Sequence, residues 1–136
     1  MANTLGIIVK NGNYEIELQV QDEKTKEYLD WSLFDFVAVA VHTKDSRDAL
    51  IKWTNKSPTP TGWKAASIDG TDSRLLDMFI DDDDLDAARE TEAQLDIMTY
   101  KADANFEGGY AKGVVVSNEP ISIEIESNSL TSEDLI

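Results

Sequence analysis

The sequence contains no cysteine and a single histidine, His42. Without cysteine there is no disulfide, no thiolate nucleophile and no cysteine-ligated metal centre. A lone histidine cannot form a histidine-rich metal site, and as a general base it needs an orienting acid and a target. Asp45 and Asp48 lie near it in sequence, but nothing marks a nucleophile. We therefore expect His42 to be structural or exposed, and we predict no catalytic residue, no cofactor and no enzyme activity.

Basic residues are scarce, since 12 lysines and arginines stand against 27 acidic residues and give a net charge of −15. Nucleic acids and anionic membrane surfaces carry charge of the same sign and would repel such a chain. The excess of acid favours high solubility and a basic partner surface, while a salt-adapted source or a merely solvated surface are the other interpretations. We therefore expect neither a nucleic-acid partner nor a membrane partner.

Long hydrophobic runs are also missing. No stretch approaches the roughly 18 apolar residues that a membrane helix requires. The apolar segment from Leu5 to Val9 is too short for the core of a signal peptide, and no basic residue precedes it. We therefore expect synthesis in a host cytoplasm, followed by retention there or release by lysis.

Short segments in which apolar and polar residues alternate make up most of the chain, and 41% of the residues are hydrophobic. The clearest strand runs from Tyr14 to Val20 and follows the turn signal Asn11-Gly12-Asn13. In the segment from Phe34 to Thr43, the valines share one face, while Phe36 and the alanines share the other. Such a strand is expected to be central, and to be either covered on both sides or paired with another subunit on its small-residue face.

The other predicted strands are residues 5–9, 49–54, 63–68, 73–80, 93–100, 110–116 and 121–126. Turn residues separate them at a spacing of roughly ten residues, which is typical of a sandwich or barrel. The sequence therefore predicts an all-β fold, an antiparallel β-sandwich of Ig-like or jelly-roll-like type with seven to nine strands. At most one short helix is expected, near residues 82–90. We predict an N-terminal arm or edge strand over residues 1–13, a single β-sandwich domain over 14–126 and an acidic C-terminal tail over 127–136.

The densest acidic run is Asp81-Asp82-Asp83-Asp84. Converging carboxylates bind Ca²⁺, so Asp81, Asp82 and Asp84 are the candidate ligands. The run lacks the central glycine of an EF-hand loop. A helix start or a solvated acidic loop accounts for the same residues, and we favour that interpretation over a metal site.

Aromatic residues offer a second binding chemistry, because a flat aromatic platform can stack against sugars. The candidates for such a platform are Trp31, Trp53, Trp63, Tyr28, Tyr100 and Tyr110. The alternative is that the tryptophans are core residues or interface anchors. Trp63, beside the proline-containing loop, is the best candidate for an exposed one. A carbohydrate-binding or calcium-binding β-sandwich module is therefore the alternative function.

The order of elements resembles that of a known group of domains. The features that carry the likeness are the alternating strand at Tyr14–Val20, the long strand and hairpin at 34–54, the turn, strand and acidic step at 69–89, and the strands at 92–101 and 121–126. This layout is similar to the small Ig-like β-sandwich domains of tailed-bacteriophage virion proteins, especially the attachment domain of baseplate upper proteins. The chain lacks their large C-terminal oligomerising region, so the resemblance implies a stand-alone accessory protein.

The resemblance implies a non-catalytic structural protein located in the virion, as a capsid decoration or auxiliary protein or a neck or baseplate accessory. Its expected partners are other virion proteins or copies of itself, within a larger assembly. Apolar residues in predicted arms and loops are the candidate partner contacts, since exposed strands and pockets recruit neighbours in this way. They are Ile7, Ile8, Trp31, Trp63 and Phe106.

Overall fold

The computed structural model of the chain describes residues 3–43, 46–88, 90–115 and 121–130. Its strands are β1 (Asn3–Val9), β2 (Tyr14–Leu18), β3 (Phe36–Thr43), β4 (Ala49–Thr54), β5 (Lys64–Ala65), β6 (Ser67–Ile68), β7 (Leu76–Ile80), β8 (Thr91–Ala102), β9 (Tyr110–Val114) and β10 (Ile121–Glu126). Two three-residue 3₁₀ helices, Trp31–Leu33 and Glu107–Gly109, are the helical elements of these ranges. The all-β prediction is confirmed. No helix in the described ranges is long and apolar enough to span a membrane.

The strands form two sheets. The large sheet has the order β1-β10-β8-β3-β4-β5, with β9 also paired to β8, and the small sheet has the order β2-β7-β6. Strand β8 organises the large sheet because its 12 residues pair with β3 along one edge and with β10 and then β9 along the other. The β1–β10 and β4–β5 pairs are parallel, which corrects the expectation of a purely antiparallel arrangement. Residue alternation fixes the face of a strand but not the direction of its neighbour.

The hydrophobic core draws side chains from both sheets and follows the predicted alternation. In β3 the valines are buried, and in β7 the buried side chains are Leu76, Met78 and Ile80, while Phe79 points outward and is 50% exposed. Both sheets contribute side chains to one hydrophobic cluster, and each sheet keeps a face with exposed side chains. The fold thus offers two separate sheet surfaces to solvent.

Two buried tryptophans connect the layers by hydrogen bonds. The indole N–H of Trp53, on β4, donates to the backbone carbonyl of Phe79 on β7 at 3.0 Å. The indole N–H of Trp31 donates to the carbonyls of Leu18 and Arg74, at 3.3 and 3.0 Å. Both side chains are fully buried, so each N–H needs a partner inside the protein and finds it in the small sheet or at its border.

The segment in which the sequence allowed one short helix folds as consecutive turns. The amide N–H groups of Asp84 and Ala88 donate to the carbonyls three residues earlier, Asp81 and Leu85, at 3.1 and 2.9 Å. Leu85 and Ala88 are buried, so the turns are held by two core contacts. The strand count exceeds the predicted seven to nine because the segment expected over 63–68 splits into β5 and β6, which join different sheets.

Several sequence expectations fall outside the described residues. These are the turn at 44–45, the strand end and break at 116–120, and the last six residues of the predicted acidic tail, 131–136.

Candidate functional site

Three rows of side chains cross the outward face of the large sheet. From the β4 side to the β9 side they are Lys52–Ala40–Asp96, Ala38–Met98–Val114 and Phe36–Tyr100–Lys112. Val114 is 65% exposed. The alanines of β3 are only half-buried, since no described element packs over them. We call this face, extended by its neighbours Lys56, Trp63 and Tyr110, the lysine–aromatic surface.

An aromatic cluster forms one end of the lysine–aromatic surface. The rings of Phe36 and Tyr100 stack at 4.7 Å between centroids, with 19° between their planes. Tyr110 meets both rings edge-on, at 5.2 and 6.3 Å. The ammonium of Lys56 lies 5.1 Å from the Phe36 centroid, in a cation–π contact. The faces of Phe36 are therefore already engaged by Tyr100 and Lys56, and the cluster is a packed group rather than an open platform.

Trp63 lies at the opposite end of the same surface. The Lys52 ammonium sits 4.7 Å from the centroid of its ring, which covers one face of the indole. A ring in an aromatic sugar platform stacks through a free face, and here a lysine competes for it. Tyr28 shows the same arrangement elsewhere, since the Arg74 guanidinium lies 5.6 Å from its centroid.

The structure separates the five predicted partner contacts. Trp31 is fully buried and Ile8 is 6% exposed, so both pack the core and neither offers its side chain to a partner. Ile7 and Phe106 are 58% and 54% exposed, but Ile7 is on edge strand β1 and Phe106 is in the loop between β8 and β9. Only Trp63 belongs to the lysine–aromatic surface. For the rest of this surface, the signal available in the sequence was the alternation in β3, which places Phe36 and the alanines on one face.

His42 is held by oxygen atoms on both sides of its ring. Its Nε2 lies 3.0 Å from an Asp96 carboxylate oxygen. Its Nδ1 lies 2.8 Å from the carbonyl of Thr43 and 3.1 Å from that of Ser46. A general base needs a ring nitrogen directed at the proton that it removes. In this arrangement each ring nitrogen is directed at an oxygen of the protein, and His42 ties β3 to β8.

The outward face of the small sheet carries acidic residues. Glu17 is paired with Asp77, and Glu15 with the exposed Phe79. One carboxylate oxygen from each of Glu15, Glu17 and Asp77 lies within 4.8 Å of the others. We call this group, together with Phe79, the carboxylate surface. Sequence reasoning missed it because its members come from strands that are far apart in the chain.

The pKa of Asp77 reflects both its burial and the negative charge around it. Partial burial raises that pKa, and the nearby carboxylates of Asp69 and Glu15 raise it further. The Oδ1 atom of Asp77 is buried and accepts no hydrogen bond. Keeping Asp77 ionised on the carboxylate surface therefore costs free energy.

The predicted calcium ligands hold a cation supplied by the protein itself. The Lys64 ammonium lies 2.7 Å from Asp81 and 3.0 Å from Asp84. Burial disfavours the charge on Lys64, but the hydrogen bonds to the two carboxylates outweigh it, so its pKa is raised. Asp82 is half-buried and does not join this ion pair. The ammonium thus lies where converging carboxylates would coordinate a metal ion.

Many of the remaining acidic residues shape loops. Asp22 accepts from the backbone N–H of Lys24 and Thr25, and Asp69 from those of Thr71 and Asp72. Such turns stabilise a loop and lower the pKa of the accepting carboxyl, as they do for Asp69 through Thr71. Some of the acidic residues therefore stabilise turns and do not belong to a binding surface.

Comparison with known proteins adds no assignment, since neither a family model nor a curated protein matches the chain.

Proposed function

We propose that the chain is a non-catalytic structural protein of a tailed-phage particle and that it acts through protein–protein contacts. The observation that carries the proposal is the lysine–aromatic surface, where Val114 is 65% exposed beside half-buried alanine, methionine and aromatic side chains. Exposed apolar groups surrounded by polar ones are typical of interaction surfaces. In this proposal the two sheets form an Ig-like β-sandwich, as the layout of strands in the sequence suggests.

The geometry of the rings supports a protein partner over a carbohydrate. Trp31 and Trp53 are fully buried, so two of the six candidate sugar-stacking residues are core residues. The Phe36 ring contacts both the Tyr100 ring and the Lys56 ammonium, and a lysine covers one face of Trp63. Packed aromatic rings suit a protein interface, where aromatic residues are enriched.

Charge supports the choice of partner and location. With a net charge of −15, the protein is unsuited to nucleic acid or to an anionic bilayer. Its partners in the proposal are other virion proteins or further copies of the chain. It is made in the host cytoplasm and incorporated into the particle as a capsid decoration, neck or baseplate component.

Mass spectrometry of purified particles from the source culture tests this proposal. The tryptic peptide spanning residues 75–89 is quantified against the major coat protein. A fixed ratio supports the proposal, and its size distinguishes a capsid coat from a neck or baseplate component. Absence of the peptide from particles, with its presence in cells, would refute the virion assignment.

The alternative module is tested separately by tryptophan fluorescence. Glycans and Ca²⁺ are titrated into the wild-type protein and into a Trp63→Phe variant. We expect no saturable change, because Lys52 and Lys64 already occupy the relevant positions. A saturable glycan response that the variant loses would favour the carbohydrate module instead.

A further inference from the structure

The two outward sheet faces are complementary in charge. Lys56 and Lys112 are exposed on the lysine–aromatic surface, where Lys52 is half-buried. The outward face of the small sheet presents the clustered carboxylates of Glu15 and Glu17 with that of Asp77. In a chain with a net charge of −15, a local group of lysines is an exception to the overall field, and the one carboxylate in the same rows, that of Asp96, lies 3.0 Å from His42 Nε2.

The two faces are also complementary in apolar content. Phe79 projects from the carboxylate surface and is 50% exposed. The lysine–aromatic surface offers a floor of Ala38 and Ala40 beside the longer side chains of Met98 and Lys52. Small residues between larger ones leave room for an incoming ring, which is the form that an interface anchor takes.

We propose that the lysine–aromatic surface of one copy of this chain docks on the carboxylate surface of a second copy, head to tail. The inference builds on the proposed function, since it identifies one partner of the structural protein as the chain itself. Lysines of one copy meet Glu15 and Glu17 of the next, and Phe79 packs against the alanines of β3. The contact joins two different surfaces, so a bound pair keeps one lysine–aromatic surface and one carboxylate surface open for further copies.

Electrostatics favours the docked carboxylate surface over the unbound one. Partial burial and the nearby carboxylates of Asp69 and Glu15 disfavour the charge on Asp77 and raise its pKa, and incoming ammonium groups offset both effects. The net negative charge of each molecule opposes association. At 0.15 M salt, however, the Debye length is about 8 Å, so repulsion between distant charges is screened, while the attraction between contacting pairs is weakened less. The association is therefore expected at physiological salt and should weaken at very low salt.

Sedimentation velocity across a wide range of protein concentrations tests the proposal at about 0.15 M salt. The wild type is expected to show a weight-average mass that rises with concentration beyond a dimer. The variant K56E/K112E reverses the lysine surface, and E15K/E17K reverses the carboxylate surface. Each variant alone is expected to associate at least tenfold more weakly, which is about 1.4 kcal/mol. An equimolar mixture of the two is expected to regain a complex.

The E15K/E17K variant separates specific docking from general repulsion. It lowers the negative charge of the protein, so an effect of net charge alone would strengthen association, whereas the proposal requires a loss. The variant K24E/K26E, on the exposed loop after β2, matches K56E/K112E in net charge and should associate like the wild type.

Three outcomes would overturn the inference: a monomeric wild type at every concentration, an E15K/E17K variant that still associates, or a mixture that stays monomeric. The peptide assay on particles is independent of all three. A chain found in particles at fixed stoichiometry but monomeric in solution would refute self-docking and leave the proposed function standing.

Discussion

Replacing Trp53 with phenylalanine removes one of the hydrogen bonds that join the two sheets. Trp53 is fully buried on β4, and its indole N–H reaches the carbonyl of Phe79 on β7 at 3.0 Å. Phenylalanine keeps an aromatic ring in the core but has no donor. The change therefore tests whether the layers are held at this point by a directed bond as well as by apolar packing.

The expected loss of stability has two parts. Leaving a buried carbonyl without its side-chain donor costs about 1–3 kcal/mol. The phenyl ring is smaller than the indole by roughly 40 Å³, and at about 24 cal/mol per Å³ of residual cavity this adds about 1 kcal/mol. The sum, about 2–4 kcal/mol, is a large fraction of the 5–15 kcal/mol that is usual for a domain. At roughly 3–4 °C per kcal/mol, the melting temperature should fall by about 6–16 °C.

Urea unfolding followed by far-ultraviolet circular dichroism measures this loss without relying on the fluorophore that is removed. Trp63→Phe is the matched control, because Trp63 is only half-buried and its ring contacts Lys52 at the surface. We expect the control to lose less than about 1 kcal/mol. If the two variants lose the same free energy of unfolding within about 0.5 kcal/mol, the reasoning about the inter-sheet bond is wrong.

Three further substitutions test other contacts. Thr54→Val should lower the free energy of unfolding by about 1–3 kcal/mol, because the buried hydroxyl donates to the Val37 carbonyl at 2.7 Å; urea titration checks this, and a loss below 0.5 kcal/mol contradicts it. Lys64→Met should cost about 1 kcal/mol, less in high salt, because it leaves the nearby aspartates unneutralised; a loss independent of salt contradicts this account. Asp77→Asn should stabilise the protein by about 0.5–1 kcal/mol at neutral pH, because it removes a partly buried charge near the carboxylates of Asp69 and Glu15.

The pH dependence of the Asp77→Asn effect has a definite sign. The pKa of Asp77 is raised in the folded protein, so the folded state binds this proton more tightly than the unfolded chain does. The wild type therefore loses stability as pH rises from the ordinary aspartate value of 3.8 through the raised folded value. The advantage of the variant should be complete at neutral pH and should vanish as pH falls below 3.8. A constant advantage across this range would contradict the assignment.

Sequence patterns predicted the strands well because alternation is a local property. The pattern of β7, with three apolar residues on one face and Phe79 on the other, appears in the structure as buried and exposed side chains. Residues 82–87 were harder to assign, because aspartates suit both a helix start and a series of turns. In the folded chain Asp81 and Asp84 also pair with Lys64, which is distant in sequence, so a local pattern could not predict their surroundings.

The candidate site was predictable only in part. The small-residue face of β3 could be recognised from the spacing of Phe36 and the alanines. The sequence marked Trp63 as the best candidate for an exposed tryptophan because it lies beside the proline-containing loop, but nothing in the sequence marked Trp31 as buried. Burial separated them: Trp31 is enclosed beside the small sheet, and Trp63 stays on the surface against Lys52.

The sequence by itself determined the fold class, the faces of the main strands and the sign of the overall field, because these follow from residue alternation and composition. Only the tertiary structure decided which strands are neighbours, and hence which charges meet. Glu17 and Asp77 lie opposite one another because β2 pairs with β7, and Tyr100 lies opposite Lys112 because β8 pairs with β9. Pairing between distant segments is a property of the folded chain, since period-two patterning specifies a face but not a partner.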